Sequence, residues 1–205
     1  MSNSTESDAV RPTAETGKMA NASLLEHVRV MEAVLQENMD EIERAAQLIC
    51  RTLREGHKLL LCGNGGSAAD AQHIAAELVG RYERQRRAWP AIALTTDTSA
   101  LTALGNDYGY AEIFARQVEA LAQPGDLLLA ISTSGDSPNV LKAVERARER
   151  GCRTIALTGA GGGKLAQACD EAVIIPAART SRVQEAHITI GHLWCEMIDA
   201  ALAES

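Results

Sequence analysis

The amino-acid sequence predicts a doubly wound α/β fold, in which helices flank both faces of a five-stranded parallel sheet and two further helices come first. Two observations carry this prediction. Short apolar runs alternate with helical stretches, and parallel neighbours require such crossover connections. The runs are also apolar at consecutive positions, which is typical of strands buried on both faces. The five runs are residues 59–62, 91–94, 127–131, 154–157 and 172–175.

The N-terminal region is expected to contain a polar tail and then two helices. Residues 1–18 are rich in Ser, Thr and Glu and nearly free of apolar side chains, so we expect a flexible tail. The first helix is expected to begin at Ser23, which forms a capping-box pattern with Glu26. The second is expected to end at Gly56. Residues 19–205 are predicted to form one domain, since 46% apolar and 23% charged residues are typical of a globular chain.

The last predicted helix, residues 183–202, is apolar over most of its circumference. A helix that covers one face of a sheet needs only an apolar stripe. We therefore expect this helix to pack against another subunit as well. The side chains concerned are Ala186, Ile190, Leu193, Trp194, Met197 and Ile198.

Charge and hydropathy argue against two classes of function. A formal net charge of -7 argues against nucleic-acid binding, which depends on Lys and Arg side chains that neutralise phosphates. No apolar run reaches the roughly 18 residues that span a bilayer, and residues 1–18 lack the apolar stretch of a signal peptide, so we expect a cytoplasmic protein. A local basic cluster is interpreted as a solvated loop from which only Arg81 reaches a site. It comprises Arg81, Arg84, Arg86 and Arg87.

Two predicted strands end in polar loops that indicate a phosphate site. The first strand-end loop, residues 63–67, reads Gly-Asn-Gly-Gly-Ser and leads into a helix. The second strand-end loop, residues 132–138, reads Ser-Thr-Ser-Gly-Asp-Ser-Pro, with Ser137 as the expected N-cap. Hydroxyls and free backbone N–H groups at a helix start hold phosphate without a lysine. A routine Ser- and Thr-rich turn is the alternative interpretation of either loop.

Two nucleotide-binding motifs are rejected. Gly63-x-Gly65-x-x-Ala68 fits a permissive dinucleotide fingerprint, but Asp97 lies well beyond the spacing of about 20 residues to the ribose-binding acid. Residues 159–164 look like a phosphate-binding P-loop, yet Leu165 stands where Ser or Thr must hold magnesium.

Four polar side chains on two predicted helices form a candidate metal site. His73 and Glu77 are four residues apart and project from one helix face. Gln184 and His192 lie on one ridge of the last helix, eight residues apart. Imidazole and carboxylate groups are zinc ligands, so one interpretation is a zinc site, and the other is ordinary paired polar residues. His187 shows no local feature that separates it from a surface histidine.

Taken together, these segments make the chain resemble the phosphoheptose isomerase family, within the sugar isomerase (SIS) domain class. The resemblance covers about residues 22–200 and rests on the order and spacing of several short motifs. It implies a homotetramer that interconverts sedoheptulose 7-phosphate and D-glycero-D-manno-heptose 7-phosphate, an early step towards heptose-containing surface glycans. The matching motifs begin at Cys62, His73, Thr95, Gly105, Ile131 and Val183.

The resemblance also implies a role for each matching residue, in a site built across a subunit interface. The phosphate end of the substrate would contact Ser67, Ser132, Thr133, Ser134 and Ser137. The sugar would contact Asn64, Gly65, Gly66, Asn106, Asp107 and Gln184. Zinc would be bound by His73, Glu77, Gln184 and His192. Some relatives carry an aspartate just before Val183, whereas residues 179–182 of this chain read Arg-Thr-Ser-Arg.

Isomerisation through an enediol needs one group that moves a proton at carbon and another that serves the oxygens. Glu77 is the predicted base and His192 the predicted acid. One alternative is a non-catalytic SIS module similar to the replication-initiator-associating proteins, which tend to lack the residue equivalent to Glu77. Another is a sugar-phosphate-sensing regulatory domain, for which the two N-terminal helices offer no basic recognition face.

Overall fold

A computed structural model describes residues 13–159 and 161–202 and contains a five-stranded, wholly parallel sheet. The order of the strands is β2-β1-β3-β4-β5, so β1 and β3 are neighbours although β2 separates them in sequence. Strand β2 lies on one side of β1, and the later strands are added on the other side. The boundary between β1 and β3 is therefore the topological switch point, where ligands bind in open α/β sheets. The predicted fold class is confirmed. The strands are β1 (Leu59–Cys62), β2 (Ala91–Ala93), β3 (Leu127–Ser132), β4 (Arg153–Thr158) and β5 (Glu171–Ile174).

Helices cover both faces of the sheet. Leu59 and Leu61 face a cluster that contains side chains of α1, α2, α3 and α8, whereas Leu60 faces a cluster with side chains of α5, α6 and α7. This alternation follows from the two-residue period of a strand. The helices of the described residues are α1 (Ala14–Glu37), α2 (Met39–Arg54), α3 (Gly66–Val79), α4 (Thr98–Tyr108), α5 (Ala115–Leu121), α6 (Pro138–Glu149), α7 (Gly163–Ala168) and α8 (Thr180–Leu202), with a 3₁₀ turn at Tyr110–Glu112.

Helix α1 begins earlier than the sequence predicts. It starts at Ala14 rather than near Ser23, because the Thr13 side chain accepts a hydrogen bond from the Thr16 backbone N–H and caps the helix there. The predicted tail is therefore wrong for residues 14–18, which are helical. Residues 1–12 of that tail lie outside the described residues, and the single domain stays a prediction.

Much of the apolar circumference of α8 is covered within this chain, and its predicted packing against another subunit stays a prediction. Helices α2 and α3 of the same chain pack against it, and Ala186, Ile190, Trp194 and Ile198 are each at most 1% exposed. The Trp194 indole N–H also donates to the Ile42 carbonyl of α2. Helix α1 carries a group of large exposed apolar side chains. The side chains concerned are Met19, Leu24, Leu25, Val28 and Leu35.

The basic cluster is not a solvated loop throughout. The Arg86 side chain is buried and pairs with Asp199 of α8 at 2.6 Å. It also donates to the Glu77 and Leu78 carbonyls near the end of α3. Arg86 therefore ties α3 to α8, whereas Arg81 is exposed and stays a prediction.

A search of the helices within residues 13–159 and 161–202 finds none with the length and apolar content of a membrane span.

Candidate active site

The two strand-end loops lie side by side at the carboxyl edge of the sheet. Their strands are paired in register, with Leu61 opposite Leu129 and Cys62 opposite Ala130, so the segments that follow them leave the sheet together. The first loop enters α3 through Gly65, its N-cap residue. Gly65 and Gly66 are exposed, whereas Ser67 is 5% exposed.

Three hydroxyls of the second strand-end loop converge. Ser132 Oγ lies 2.9 Å from Ser137 Oγ and 3.4 Å from Ser134 Oγ. Ser137 is the N-cap of α6, as predicted, but its hydroxyl makes no capping bond and turns to Ser132 instead. Thr133 is half-buried between Ser132 and Ser134. Hydroxyls that bond one another at a helix start can exchange those bonds for phosphate oxygens.

Gly135 allows this loop to pack against the connection between β4 and α7. Its φ is +70°, and a Cβ on it would lie 2.2 Å from the Gly162 carbonyl oxygen. The Leu165 backbone N–H also donates to the Gly135 carbonyl. A side chain at this position would therefore displace the hydroxyl-bearing turn.

A pair of amides joins the two loops. Asn64 Nδ2 donates to Asn139 Oδ1 at 2.9 Å, and Asn139 Nδ2 donates to Asn64 Oδ1 at 2.8 Å. The Tyr110 hydroxyl donates to the same Asn64 oxygen at 3.1 Å. The side chain of Asn64 thus binds protein groups here, and its predicted contact with sugar stays a prediction.

Helices α3 and α8 bring His73, Glu77 and His192 together. Nε2 of His73 lies 2.7 Å from Nε2 of His192, so one nitrogen donates to the other. Glu77 Oε1 lies 3.5 Å from His73 Nε2. Side chains 119 residues apart in sequence thus face a common point, with the His73 side chain 46% exposed and the Glu77 side chain 22% exposed.

Gln184 joins this group through a residue that sequence reasoning missed. Gln184 Nε2 donates to Asp70 Oδ1 at 2.6 Å, and Asp70 lies one helical turn before His73 on α3. Asp70 is 3% exposed, and burial raises the pKa of its carboxyl to about 6, against the opposing effects of Gln184 and His73. The spacing Asp70-x-x-His73 was the signal available in the sequence, because residues i and i+3 share a helix face.

A small residue permits the close approach of the two helices. A Cβ on Gly191 would lie 2.7 Å from Ile74 Cδ1, and both positions are buried. Gly191 and Ile74 are the direct neighbours of His192 and His73. The contact between this glycine and isoleucine therefore sets the distance between the imidazoles.

Tyr82 is a second residue that sequence reasoning missed. Its ring stacks on the His192 ring, with centroids 5.7 Å apart and planes at 25°. The loop after α3 thus covers one face of the predicted acid.

Two predicted positions lie elsewhere. Asn106 and Asp107 are exposed near the end of α4, and Asn106 Nδ2 donates to Asp107 Oδ1 at 2.8 Å. Among the described residues, no hydrogen bond joins either side chain to the strand-end loops or to the histidines. His187 is not a surface residue: it is fully buried, and burial lowers the pKa of its imidazole to about 4.

The donor set fits zinc in its chemistry, although the side chains are not spread around an ion. Two imidazole nitrogens and a carboxylate oxygen face one point, and Gln184 donates through its nitrogen to Asp70, so its amide oxygen is available as a ligand. Within residues 13–159 and 161–202, no group of three or more His, Cys, Asp or Glu side chains has a metal-binding arrangement. The imidazoles are at hydrogen-bond distance, so they would have to separate around an ion.

Comparison with known proteins identifies the fold and its relatives. The model of the SIS domain family matches residues 25–159. A phosphoheptose isomerase from a Nitratiruptor species is 57% identical over 176 residues, which cover 86% of this chain and 94% of that protein. Another, from Nitratidesulfovibrio vulgaris strain Hildenborough, is 51% identical over 193 residues, which cover 94% of this chain and 93% of that protein.

A solved structure agrees with these relatives. The phosphoheptose isomerase from Neisseria gonorrhoeae superposes with a TM-score of 0.86 at 45% identity, covering 90% of this chain and 98% of that one. These similarities do not favour the non-catalytic protein-binding module. The sugar isomerase domain of an RpiR transcription factor from Sphaerobacter thermophilus, at 22% identity and a TM-score of 0.62, shares the fold alone.

Proposed function

The chain belongs to the phosphoheptose isomerase family of SIS-domain proteins, and we propose that it interconverts sedoheptulose 7-phosphate and D-glycero-D-manno-heptose 7-phosphate. It is an enzyme, an intramolecular aldose–ketose isomerase that acts on a heptose phosphate. The aldose product would serve the synthesis of heptose-containing surface glycans.

The convergence of α3 and α8 is the observation that carries the proposed mechanism. In the ketose-to-aldose direction, Glu77 removes a proton from C1 while His192 donates one to the C2 oxygen. The enediol then gives its C1 hydroxyl proton to His192 and receives the proton held by Glu77 at C2. Both groups lie close to His73, at 3.5 Å on the Glu77 side and 2.7 Å on the His192 side, which supports their assignment to adjacent atoms of one substrate.

Zinc is part of the proposal. His73, Glu77, Gln184 and His192 would hold it, and the bound ion would polarise the carbonyl of the sugar. The donor set supports this assignment. Glu77 is assigned both as a zinc ligand and as the base. The two roles are compatible because a carboxylate has two oxygens and only one need bind metal.

The phosphate end of the substrate would lie at the second strand-end loop. The converging hydroxyls of Ser132, Ser134 and Ser137 and the buried Ser67 support this placement. Hydroxyls and backbone N–H groups at a helix start can bind a phosphate without a lysine.

The proposed assembly is a homotetramer with sites at subunit interfaces. Its support is the exposed apolar face of α1 and the exposed α4, on which Asn106 and Asp107 lie away from the other predicted site residues. A neighbouring subunit would be needed to bring them to a substrate. The cytoplasmic location expected from the sequence stays a prediction.

The test mixes purified protein with sedoheptulose 7-phosphate and follows aldose formation before and after chelation. We expect aldose to form, activity to fall on chelation, and added zinc to restore it. Fructose 6-phosphate is the control substrate, which should react more slowly because it is one carbon shorter. No aldose from sedoheptulose 7-phosphate would overturn the substrate assignment, and full activity of metal-free protein would overturn the zinc assignment.

A further inference from the structure

Both oxygens of the amide pair between the strand-end loops accept two hydrogen bonds from protein groups. The Asn64 amide oxygen has two lone pairs and accepts from both Asn139 Nδ2 and the Tyr110 hydroxyl. The Asn139 oxygen accepts from both Asn64 Nδ2 and the Val140 backbone N–H. A sugar hydroxyl could donate to the Asn64 oxygen only if one of these bonds broke, whereas the second Asn64 N–H is not used by the pair.

The amide pair lies between a loop without anchoring side chains and a buried residue of α6. Asn64 lies in a glycine-rich loop whose next two residues have no side chain that could anchor it. Asn139 is the second residue of α6 and is only 2% exposed, so it is held by the core on the far side of the switch point. The pair therefore fixes the first strand-end loop relative to the hydroxyls of the second.

We propose that Asn139 is a positioning residue of the isomerase, which holds the Asn64 side chain and with it the first strand-end loop. The Tyr110 hydroxyl is the third member of this group. The inference rests on the proposed function, because it concerns how the two ends of the proposed substrate are held in register.

A double-mutant cycle tests whether Asn64 and Asn139 act as one unit. The variants are Asn64→Ala, Asn139→Ala and the double substitution, with kcat and KM for sedoheptulose 7-phosphate measured for each. Residues that act as one unit have non-additive effects. We expect each single change to reduce kcat/KM by about tenfold or more and the double change to reduce it no further than the larger single effect.

The division between KM and kcat distinguishes positioning from a loss of folded protein. A smaller folded fraction lowers apparent kcat and leaves KM unchanged, whereas misaligned loops raise KM. We expect KM to rise in both single variants. Tyr110→Phe, which removes only the hydroxyl, should raise KM by a smaller factor. If the alanine variants do not fold, the same cycle with Asn64→Ser and Asn139→Ser replaces it.

Two outcomes would overturn the inference while the wild-type enzyme is active. Additive losses would mean that Asn64 acts on the sugar independently of Asn139. An unchanged KM, with kcat reduced in proportion to folded protein, would mean that the pair only stabilises the fold. Inactive wild-type protein would overturn the proposed substrate instead, so the two failures are distinguishable.

Discussion

Glu77 lies where α3 and α8 meet, and its assigned role as the base depends on a carboxylate oxygen. Glu77 Oε1 lies 3.5 Å from His73 Nε2, and Arg86 holds the Glu77 backbone carbonyl from the other side. A glutamine has the same shape and can still coordinate through its oxygen, but it cannot accept a proton from carbon. Glutamine at position 77 would therefore separate substrate binding from proton transfer.

The first prediction concerns this carboxylate. Glu77→Gln should lower kcat by roughly 10² to 10⁴-fold, because a general base contributes about that much. Calorimetry should show that the variant still binds sedoheptulose 7-phosphate. Glu43→Gln, at an exposed position of α2, is the matched control and should leave both unchanged. A Glu77→Gln enzyme with near-normal turnover would remove Glu77 as the base.

The second prediction concerns the direction of one hydrogen bond. Asp70 can only accept as a carboxylate, so it orients Gln184 with its nitrogen towards α3 and its oxygen free. Asp70→Asn removes this bias and should weaken zinc retention about 10- to 100-fold, as loss of an outer-shell partner does. The measurement is residual zinc after dialysis against graded chelator concentrations.

A variant in which donor and acceptor are exchanged between positions 70 and 184 provides the control. In the double variant Asp70→Asn, Gln184→Glu, the asparagine nitrogen donates and the glutamate keeps an oxygen free, so zinc retention should recover. Retention that stays low in the double variant, or that is normal in Asp70→Asn alone, would show that Asp70 does not orient Gln184.

At the scale of elements, the site depends on how closely α3 approaches α8. Gly191 lies against Ile74, and the buried pair of Arg86 and Asp199 ties the end of α3 to α8 on the far side of Glu77. One contact lies next to His73 in the chain, and the other lies at Glu77. The distance between the imidazoles is thus set by packing rather than by the histidines themselves.

The third prediction tests this spacing. Gly191→Ala places a Cβ within 2.8 Å of two Ile74 side-chain atoms and should lower the free energy of unfolding by about 1 to 3 kcal/mol. It should also lower kcat/KM, because His192 moves away from His73. Chemical denaturation and steady-state kinetics measure the two effects.

Gly17→Ala is the matched control for that substitution. A Cβ on Gly17 of α1 meets nothing within 4 Å, so alanine should stabilise the helix by roughly 0.5 to 1 kcal/mol without affecting turnover. If Gly191→Ala left both stability and kinetics at wild-type values, Ile74 would have repacked without displacing α3, and the glycine would not set the spacing.

At the scale of the whole molecule, α1 presents an exposed apolar face. Leu24, Val28 and Leu35 recur on one face of α1, and their exposed fractions are 66%, 49% and 66%. Contiguous exposed apolar side chains mark protein interfaces more often than free surface. A second copy of this chain is the partner proposed for this face.

The fourth prediction addresses this assembly. Charged substitutions Leu24→Glu and Leu35→Glu together should dissociate the proposed tetramer, because a carboxylate at a closed interface is costly to desolvate. Sedimentation velocity measures the change, and activity should fall with it if the site spans subunits. Leu121→Glu is the control, as an exposed leucine of α5 that is 41% exposed. A variant that remained tetrameric would exclude the α1 face as the interface.

Much of this protein could be predicted from local patterns. The parallel sheet was predicted from short apolar runs and their spacing, and the two polar loops were predicted at strand ends. Both predictions were possible because strands and the loops that follow them depend on neighbouring residues in the chain. The pairing of His73 with Glu77 was likewise visible, because helix geometry alone brings them together. The family also followed from the ordered motifs.

Only the tertiary structure decided which distant side chains meet. The bonds of Asp70 to Gln184 and of Asn64 to Asn139, and the stacking of Tyr82 on His192, join segments whose separation in sequence carries no information about distance. The same holds for α8, because its apolar circumference did not show that α2 and α3 would pack against it. Periodicity reports which face of an element is apolar, whereas packing of the whole chain determines what covers that face.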